Sequence, residues 1–300
     1  MVNCNGVYIS IRISFTRCIR LRIIVDIPGG FGNQLFGYAF GYALSKELGD
    51  ECEFCIHTPF QDSGVTWELQ IDKLNIRYDK RITYKWGKRI FDRVVFNRLK
   101  KIMHIGILTR TIRENVSFDI SDYCKLLEKR NNVIFYGNWE NERFFSKYRA
   151  DLLEMFTEKV ERNNQVKEIL LEAKNNMKSV GMHIRMGDKA EMGISLSSEY
   201  YNACIEVITK YIINPCIYII SDDIEWCKSN LVSKNAMLIY PDYDSDNRVL
   251  DDWLILKACN NHIVANSTFS WWAAWLNQND EQVVICPKQM GYKLDKWICI

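Results

Sequence analysis

Residues 23–49 read IIVDIPGGFGNQLFGYAFGYALSKELG. The opening IIVDI is a short apolar, β-rich run, which predicts a strand. Pro28, Gly29, Gly30 and Gly32 then force a turn. From Leu35 to Leu48 apolar and aromatic residues recur at helical spacing, and Gly49 supplies the stop. Strand, glycine loop and helix in that order are the first half of a βαβ unit. Residues 52–56 predict its second strand.

The same alternation returns downstream. Strands are expected at 133–136, 180–185, 216–220, 237–240, 262–265 and 283–286. Helices are expected at 198–211, 224–231, 250–260 and 268–277, after two charged, helix-like stretches at 141–160 and 162–178. That rhythm is a doubly wound α/β fold with parallel strands. The stretch 162–178 suits a connection between two domains, so the expected division is 1–20, 21–175 and 176–300, the first being a leader or an extra strand.

A chain of 300 residues accommodates two such domains, and 48% hydrophobic with 25% charged residues is ordinary for a soluble protein. A net charge of +2 gives no support to nucleic-acid binding. The 11 cysteines are odd in number and scattered, which favours free thiols in a reducing cytosol over a disulfide framework. Cys52 and Cys55 form a lone C-x-x-C, read as two neighbouring thiols at a strand. The charge-free stretch 258–279 is long enough to cross a membrane, but Asn260, Asn261, His262 and Asn266 within it argue for a buried site instead. Residues 79–101 carry many lysines and arginines, with Trp86, Ile90, Phe91, Val94 and Val95 at helical spacing. They predict a basic amphipathic helix, either packed on the core with a solvated basic face or, over about 86–103, touching anionic lipid at the inner face of a membrane.

Four motifs carry chemistry. In the glycine loop, Gly30 and Gly32 let the backbone approach a ligand, and Asn33 and Gln34 add amides suited to sugar hydroxyls. Leu35 stands where a dinucleotide fingerprint needs a small residue, which disfavours an NAD enzyme. His183 and Arg185 alternate on one face of a strand end, where Arg185 can hold a diphosphate, and Gly187 turns Asp188 back towards it. The same residues also suit an Arg185–Asp188 salt bridge. Ser221, Asp222 and Asp223 follow a strand, where they can receive guanine or ribose or cap the next helix. Asn266, Ser267, Thr268, Phe269 and Ser270 bring hydroxyls and first-turn N–H groups together at a helix N-terminus, an anion site. The acidic loop Asp242–Asp246 fails as a calcium loop, because Asn247 and Trp253 stand where glycine and glutamate are needed. Its Asp242-x-Asp244 string is better read as a solvated acidic loop than as a metal site.

Together these segments resemble the α-1,2-fucosyltransferases of glycosyltransferase family 11. The residues that carry the likeness are GGFGNQLFGYAFGYALS at 29–45, FYGNWENERFF at 135–145, HIRMGDK at 183–189, ISDDIEWCKSNL at 220–231 and NSTFSWWAAWLN at 266–277. The resemblance implies a GT-B fold, two Rossmann-like domains with the active site in the cleft between them. It implies GDP-β-L-fucose as co-substrate, no metal or other cofactor, and a galactose-terminated oligosaccharide or lipid-linked glycan as acceptor. By match, Arg185 and Ser267–Phe269 would hold the diphosphate, His183 and the Asp222/Asp223 pair would lie near guanosine, and Asn33 would face fucose and acceptor. Asp188 is the candidate base. Met186 replaces the family's usual second arginine, and the adjacent Lys189 is the candidate substitute cation. Two rivals are a metal-dependent GT-A enzyme built on Asp242 and Asp244, and a non-enzymatic nucleotide-binding module.

Overall fold

The computed structural model describes residues 21–58, 68–82, 109–127, 132–186 and 195–300. It contains two sheets whose strands all pair in parallel. The first is built from β1 (Leu21–Asp26), β2 (Cys52–His57), β3 (Lys80–Ile82), β4 (Thr109–Arg113) and β5 (Asn132–Tyr136), in the order β3-β2-β1-β5-β4. The second is built from β6 (Ser179–Ile184), β7 (Cys216–Ser221), β8 (Met237–Ile239), β9 (Asn261–Ile263), β10 (Val284–Cys286) and β11 (Ile298–Cys299), in the order β11-β10-β9-β6-β7-β8. In each sheet the strand that comes first in the chain lies inside, and later strands add on both sides of it. That reversal opens a crevice at its carboxyl end, the place where ligands bind in doubly wound sheets.

Eight α-helices are described: α1 (Phe31–Leu48), α2 (Ile120–Lys125), α3 (Arg149–Met155), α4 (Asn164–Asn175), α5 (Ser198–Tyr211), α6 (Ile224–Asn230), α7 (Arg248–Ala258) and α8 (Thr268–Trp275). Helix α1 begins four residues earlier than its apolar spacing predicts, because Gly30 takes the extended N-cap conformation and its carbonyl accepts from Gln34 N at 3.0 Å. It is buried on nearly all sides, from Phe31 and Leu35 to Ala43 and Leu44. That explains its apolar circumference, since a helix enclosed by protein needs no polar stripe.

Helix α1 lies against α8, and the two halves of the chain meet there. The ring of Phe36 is 4.7 Å from Trp271 and 4.8 Å from Trp272, and Phe145 stacks on Trp272 at 5.1 Å. Cations add directional ties: Lys257 Nζ donates to Phe156 O at 2.8 Å, and Arg149 Nη2 to Trp275 O at 3.1 Å. The junction is therefore a dry aromatic core, with any ligand cleft at its margin. Helix α4, placed before the 175/176 division, packs on α7 of the second half. Arg162, just before it, forms a buried ion pair with Asp251 of α7 at 2.9 Å.

Several expectations are revised. Residues 141–160 are not one helix: two 3-10 turns, Glu142–Phe144 and Ser146–Tyr148, precede α3. Phe144 and Phe145 are adjacent yet both buried, Phe144 beside Phe40 and Phe145 beside Trp272, which the broken backbone permits. Residues 80–82, expected to open a basic helix, form edge strand β3, and the rest of that segment through 108 lies outside the described residues, as do residues 1–20. Strands β4 and β11 and helix α2 carry too little apolar pattern to stand out in the sequence. Among the described residues no helix is long and apolar enough to cross a membrane.

Candidate active site

Three of the four motifs leave the carboxyl ends of neighbouring strands. In the order β9-β6-β7, Asn266 follows β9, Arg185 follows β6, and Asp222 follows β7. The register aligns them, since Met182 pairs with both Ile219 and Ile263. The glycine loop reaches the same region from the other sheet, off the carboxyl end of β1.

Gly32 of α1 meets the first turn of α8 so closely that an added Cβ would lie 2.5 Å from Phe269 N and from the Thr268 carbonyl carbon. Its carbonyl accepts from Trp272 Nε1 at 3.1 Å. Next to it, Thr268 Oγ1 donates to Asn33 Oδ1 at 2.6 Å. Two helix N-termini are thus held side by side. Neither first turn contains an acidic residue, and α1 has no side-chain cap. Each N-terminus carries roughly half a positive charge, so the pair repel until an anion joins them. Gly29 sits at φ 78°, a conformation that glycine adopts at little cost and that turns the chain into α1.

His183 packs its ring 5.0 Å from Phe269, which ties the end of β6 to the mouth of α8. It is only 7% exposed, and its Nδ1 has no partner among the described residues. Burial, helped by the neighbouring Arg185 charge, lowers its pKa to about 3. His183 is therefore neutral at working pH, able to hydrogen-bond a ligand but poorly suited as a proton acceptor. The acids at β7 divide their tasks. Asp223 caps α6, accepting from Trp226 N at 2.9 Å, while Asp222 accepts from Met186 N at 2.8 Å and so fixes the chain just beyond Arg185.

Other motif residues turn inward. Gln34, 1% exposed, donates to Gly29 O and Glu68 O and accepts from Gln70 N and Ile71 N, which leaves no capacity for a sugar. Ser270 donates to Ser267 O, and Ser267 caps Phe269 N. Gly30 serves as the N-cap of α1, and Ser221 Oγ accepts from Asp223 N. Asn266 lies in the turn between β9 and α8. Gly187, Asp188 and Lys189 lie outside the described residues. In the acidic loop, Tyr243 donates to Asp252 and Ser245 to Asp251, a set of internal braces. Among the described residues no group of three or more His, Cys, Asp or Glu side chains could hold a metal.

The FYGNWENERFF segment is also anchored here. Glu114 accepts from the backbone N–H groups of Asn138 and Trp139 at 2.8 and 3.0 Å. Trp139 takes a positive φ of 59°, a strained conformation for a tryptophan, and its fully buried ring stacks on Phe40 at 3.6 Å. Strain of this kind tends to gather at functional sites. The neighbouring Glu140 and Arg185 both act on the phenol of Tyr292. Burial first, then Glu140, push the Tyr292 pKa up, and Arg185 opposes them. No local sequence signal marks Tyr292, which follows the last helix in an irregular segment.

The family model for glycosyl transferase family 11 matches residues 22–295. The chain belongs to this family. It is 30% identical over 280 residues to an Escherichia coli protein named alpha-1,2-colitosyltransferase, an alignment that covers 88% of this chain and 91% of that one. It is 24% identical over 143 residues to the Bos taurus galactoside 2-alpha-L-fucosyltransferase SEC1, covering 44% and 39% of the two chains. Among solved structures, the NodZ alpha-1,6-fucosyltransferase soaked with GDP-fucose superposes with a TM-score of 0.50 at 13% identity, over 86% of this chain and 93% of that one. This likeness is one of fold. Membership of family 11 makes the protein a glycosyltransferase, and its two parallel sheets have the GT-B architecture.

Proposed function

We propose that this family 11 protein transfers L-fucose from GDP-β-L-fucose to the 2-hydroxyl of a terminal galactoside, with inversion at the anomeric carbon and without a metal ion, in cell-surface glycan synthesis. One observation carries the reading: the acid-free N-termini of α1 and α8 are held against each other, and β6, the strand that ends beside Arg185, reaches them through His183, whose ring lies 5.0 Å from Phe269. That arrangement suits a diphosphate leaving group. The acceptor oxygen bonds to C1 as the C1–phosphate oxygen bond breaks on the opposite face, and negative charge grows on the diphosphate. Preorganised donors aimed at that growing charge lower the barrier. His183 and Asp222 flank the place of the nucleoside, and Asn33 reaches from α1 towards the sugar. Asp188 is the candidate to take the acceptor proton, a role that the low basicity of His183 does not suit.

A second donor is favoured by the likeness to a colitosyltransferase. Colitose is fucose without its 3-hydroxyl. A site that hydrogen-bonds that hydroxyl would reject the deoxy donor by about 10⁴-fold or more, whereas a site that leaves it uncontacted discriminates by about 10² or less. The experiment is incubation of the purified protein with GDP-fucose or GDP-colitose, a panel of β-galactosides and EDTA, followed by determination of the new linkage by NMR. An α-1,2 linkage formed in EDTA is the expected result. Activity abolished by EDTA and by Asp242→Ala or Asp244→Ala would instead favour a metal-dependent enzyme. GDP binding with no donor consumed would favour a binding module.

A further inference from the structure

At the carboxyl end of α8, opposite the end that meets Gly32, the two halves of the chain enclose a surface cleft of about 670 Å³. Its floor is held rigid. Trp275 and Trp297 are each 5% exposed, and Trp275 Nε1 donates to Glu142 Oε2 at 2.7 Å. Gln282 Nε2 donates to Ala274 O at 3.1 Å, and Asn277 Nδ2 to Cys259 O at 2.6 Å. The rim is exposed, with Ser146, Gln278, Asp280, Asp295 and Lys296 contributing to it.

A smaller cleft of about 140 Å³ shares Glu142, Leu294 and Asp295 with the first and includes Tyr292 in its lining. The ring of Tyr292 is 6.0 Å from Phe36 of α1, and its phenol lies within the electrostatic reach of Arg185. The two clefts therefore make one trough that starts beside the proposed transfer site and runs along α8. That helix has eight residues, so the trough extends roughly 12 Å from the crevice. A short oligosaccharide spans such a distance and a single sugar does not.

The lining selects the occupant. Three carboxylates, Glu142, Asp280 and Asp295, stand against three cations, Arg149, Lys293 and Lys296, and two of the cations are already turned onto backbone carbonyls, Arg149 onto Trp275 and Asn277 and Lys293 onto Lys288 and Met290. Among the lining residues that leaves Lys296, too little positive charge to hold a phosphate against three carboxylates. No group of metal-ligating side chains is present among the described residues. The exposed carboxylates and amide of the rim, Asp280, Asp295 and Gln278, can exchange paired hydrogen bonds with neighbouring sugar hydroxyls. We infer that the trough from Tyr292 to Trp275 and Trp297 is a carbohydrate subsite that holds the acceptor residues beyond the galactose that receives the transferred sugar. This rests on the transferase reading above and extends it to acceptor length.

Two variants test it. Ser146→Trp fills the larger cleft from an exposed position, and the double variant Asp280→Ala, Asp295→Ala removes two rim carboxylates. Transfer is measured to methyl β-galactoside and to a tetrasaccharide ending in β-galactose. Direct binding of the tetrasaccharide is followed by saturation-transfer NMR. The wild type is expected to prefer the tetrasaccharide by about tenfold in kcat/KM, the worth of one or two net hydrogen bonds. Each variant should lose that preference through KM while still using the short galactoside. Equal use of both acceptors by the wild type, or a preference that survives in both variants, overturns the subsite. If nothing is transferred to either acceptor, the transferase reading fails, and binding decides the subsite alone. Tetrasaccharide signals abolished by Ser146→Trp then support it, and wild-type protein without signals refutes it.

Discussion

Three glycines of α1 offer a test in which one substitution has three different outcomes. In Gly32→Ala the new Cβ would lie 2.5 Å from two backbone atoms of α8 and 2.6 Å from Thr268 Oγ1. Ordinary contact starts at 3.4 Å, so the helix ends must part by about 0.9 Å, and backbone cannot rotate aside. Overpacking of this kind costs about 1–3 kcal/mol. Parting the helices also stretches the bonds from Trp272 to Gly32 and from Thr268 to Asn33. In Gly41→Ala the nearest atoms belong to the side chains of Phe54 at 2.4 Å and Val25 at 2.8 Å, which can shift, so the loss should be smaller. In Gly37→Ala nothing is nearer than 3.4 Å, and the gain in helix propensity should add about 0.5–1 kcal/mol. Calorimetric melting and titration with GDP measure both consequences. Gly32→Ala should lower Tm by roughly 2–5 °C and weaken GDP binding by about tenfold, equivalent to 1.4 kcal/mol. Gly37→Ala should melt at or above the wild type and bind GDP normally. If Gly32→Ala melts and binds GDP like the wild type, the two N-termini do not form the diphosphate site.

Arg185→Ala should lower turnover by about two to three orders of magnitude with the fold intact, as loss of one charge-stabilising donor does. Near-native turnover in that variant refutes its role. Acid stability depends on two buried neutral histidines. Burial lowers the pKa of His183 to about 3 and that of His262 to about 4, where an unfolded histidine sits near 6.5. Below about pH 6.5 the unfolded chain takes up protons that the folded chain refuses, so stability is complete above that pH and falls as pH drops. The pair should lose roughly 3 kcal/mol between pH 6.5 and 5. Urea midpoints at pH 7 and 5 measure this, and an unchanged midpoint would show that the two rings are not held neutral.

The run 23–49 determined strand, turn and helix by itself, and the later alternation determined a doubly wound α/β chain, because strand and helix periods are local properties of burial. The four motifs were legible for a similar reason: each is a short string placed where a strand ends. Tertiary structure alone decided what each residue in those strings touches. Gln34, Asn33 and Thr268 all carry oxygens in polar motifs, yet Gln34 braces its own loop while Thr268 bonds Asn33 across 235 residues. Asp222 and Asp223 are adjacent and chemically alike, and only the neighbouring strand end makes one a clamp on Met186 and the other a cap. Tyr292 lies in an irregular stretch with no pattern to mark it, and folding alone brings it within electrostatic reach of Arg185. A local pattern reports which way a side chain faces. Its hydrogen-bond partner is set by segments distant in the chain, whose approach no short stretch of sequence encodes.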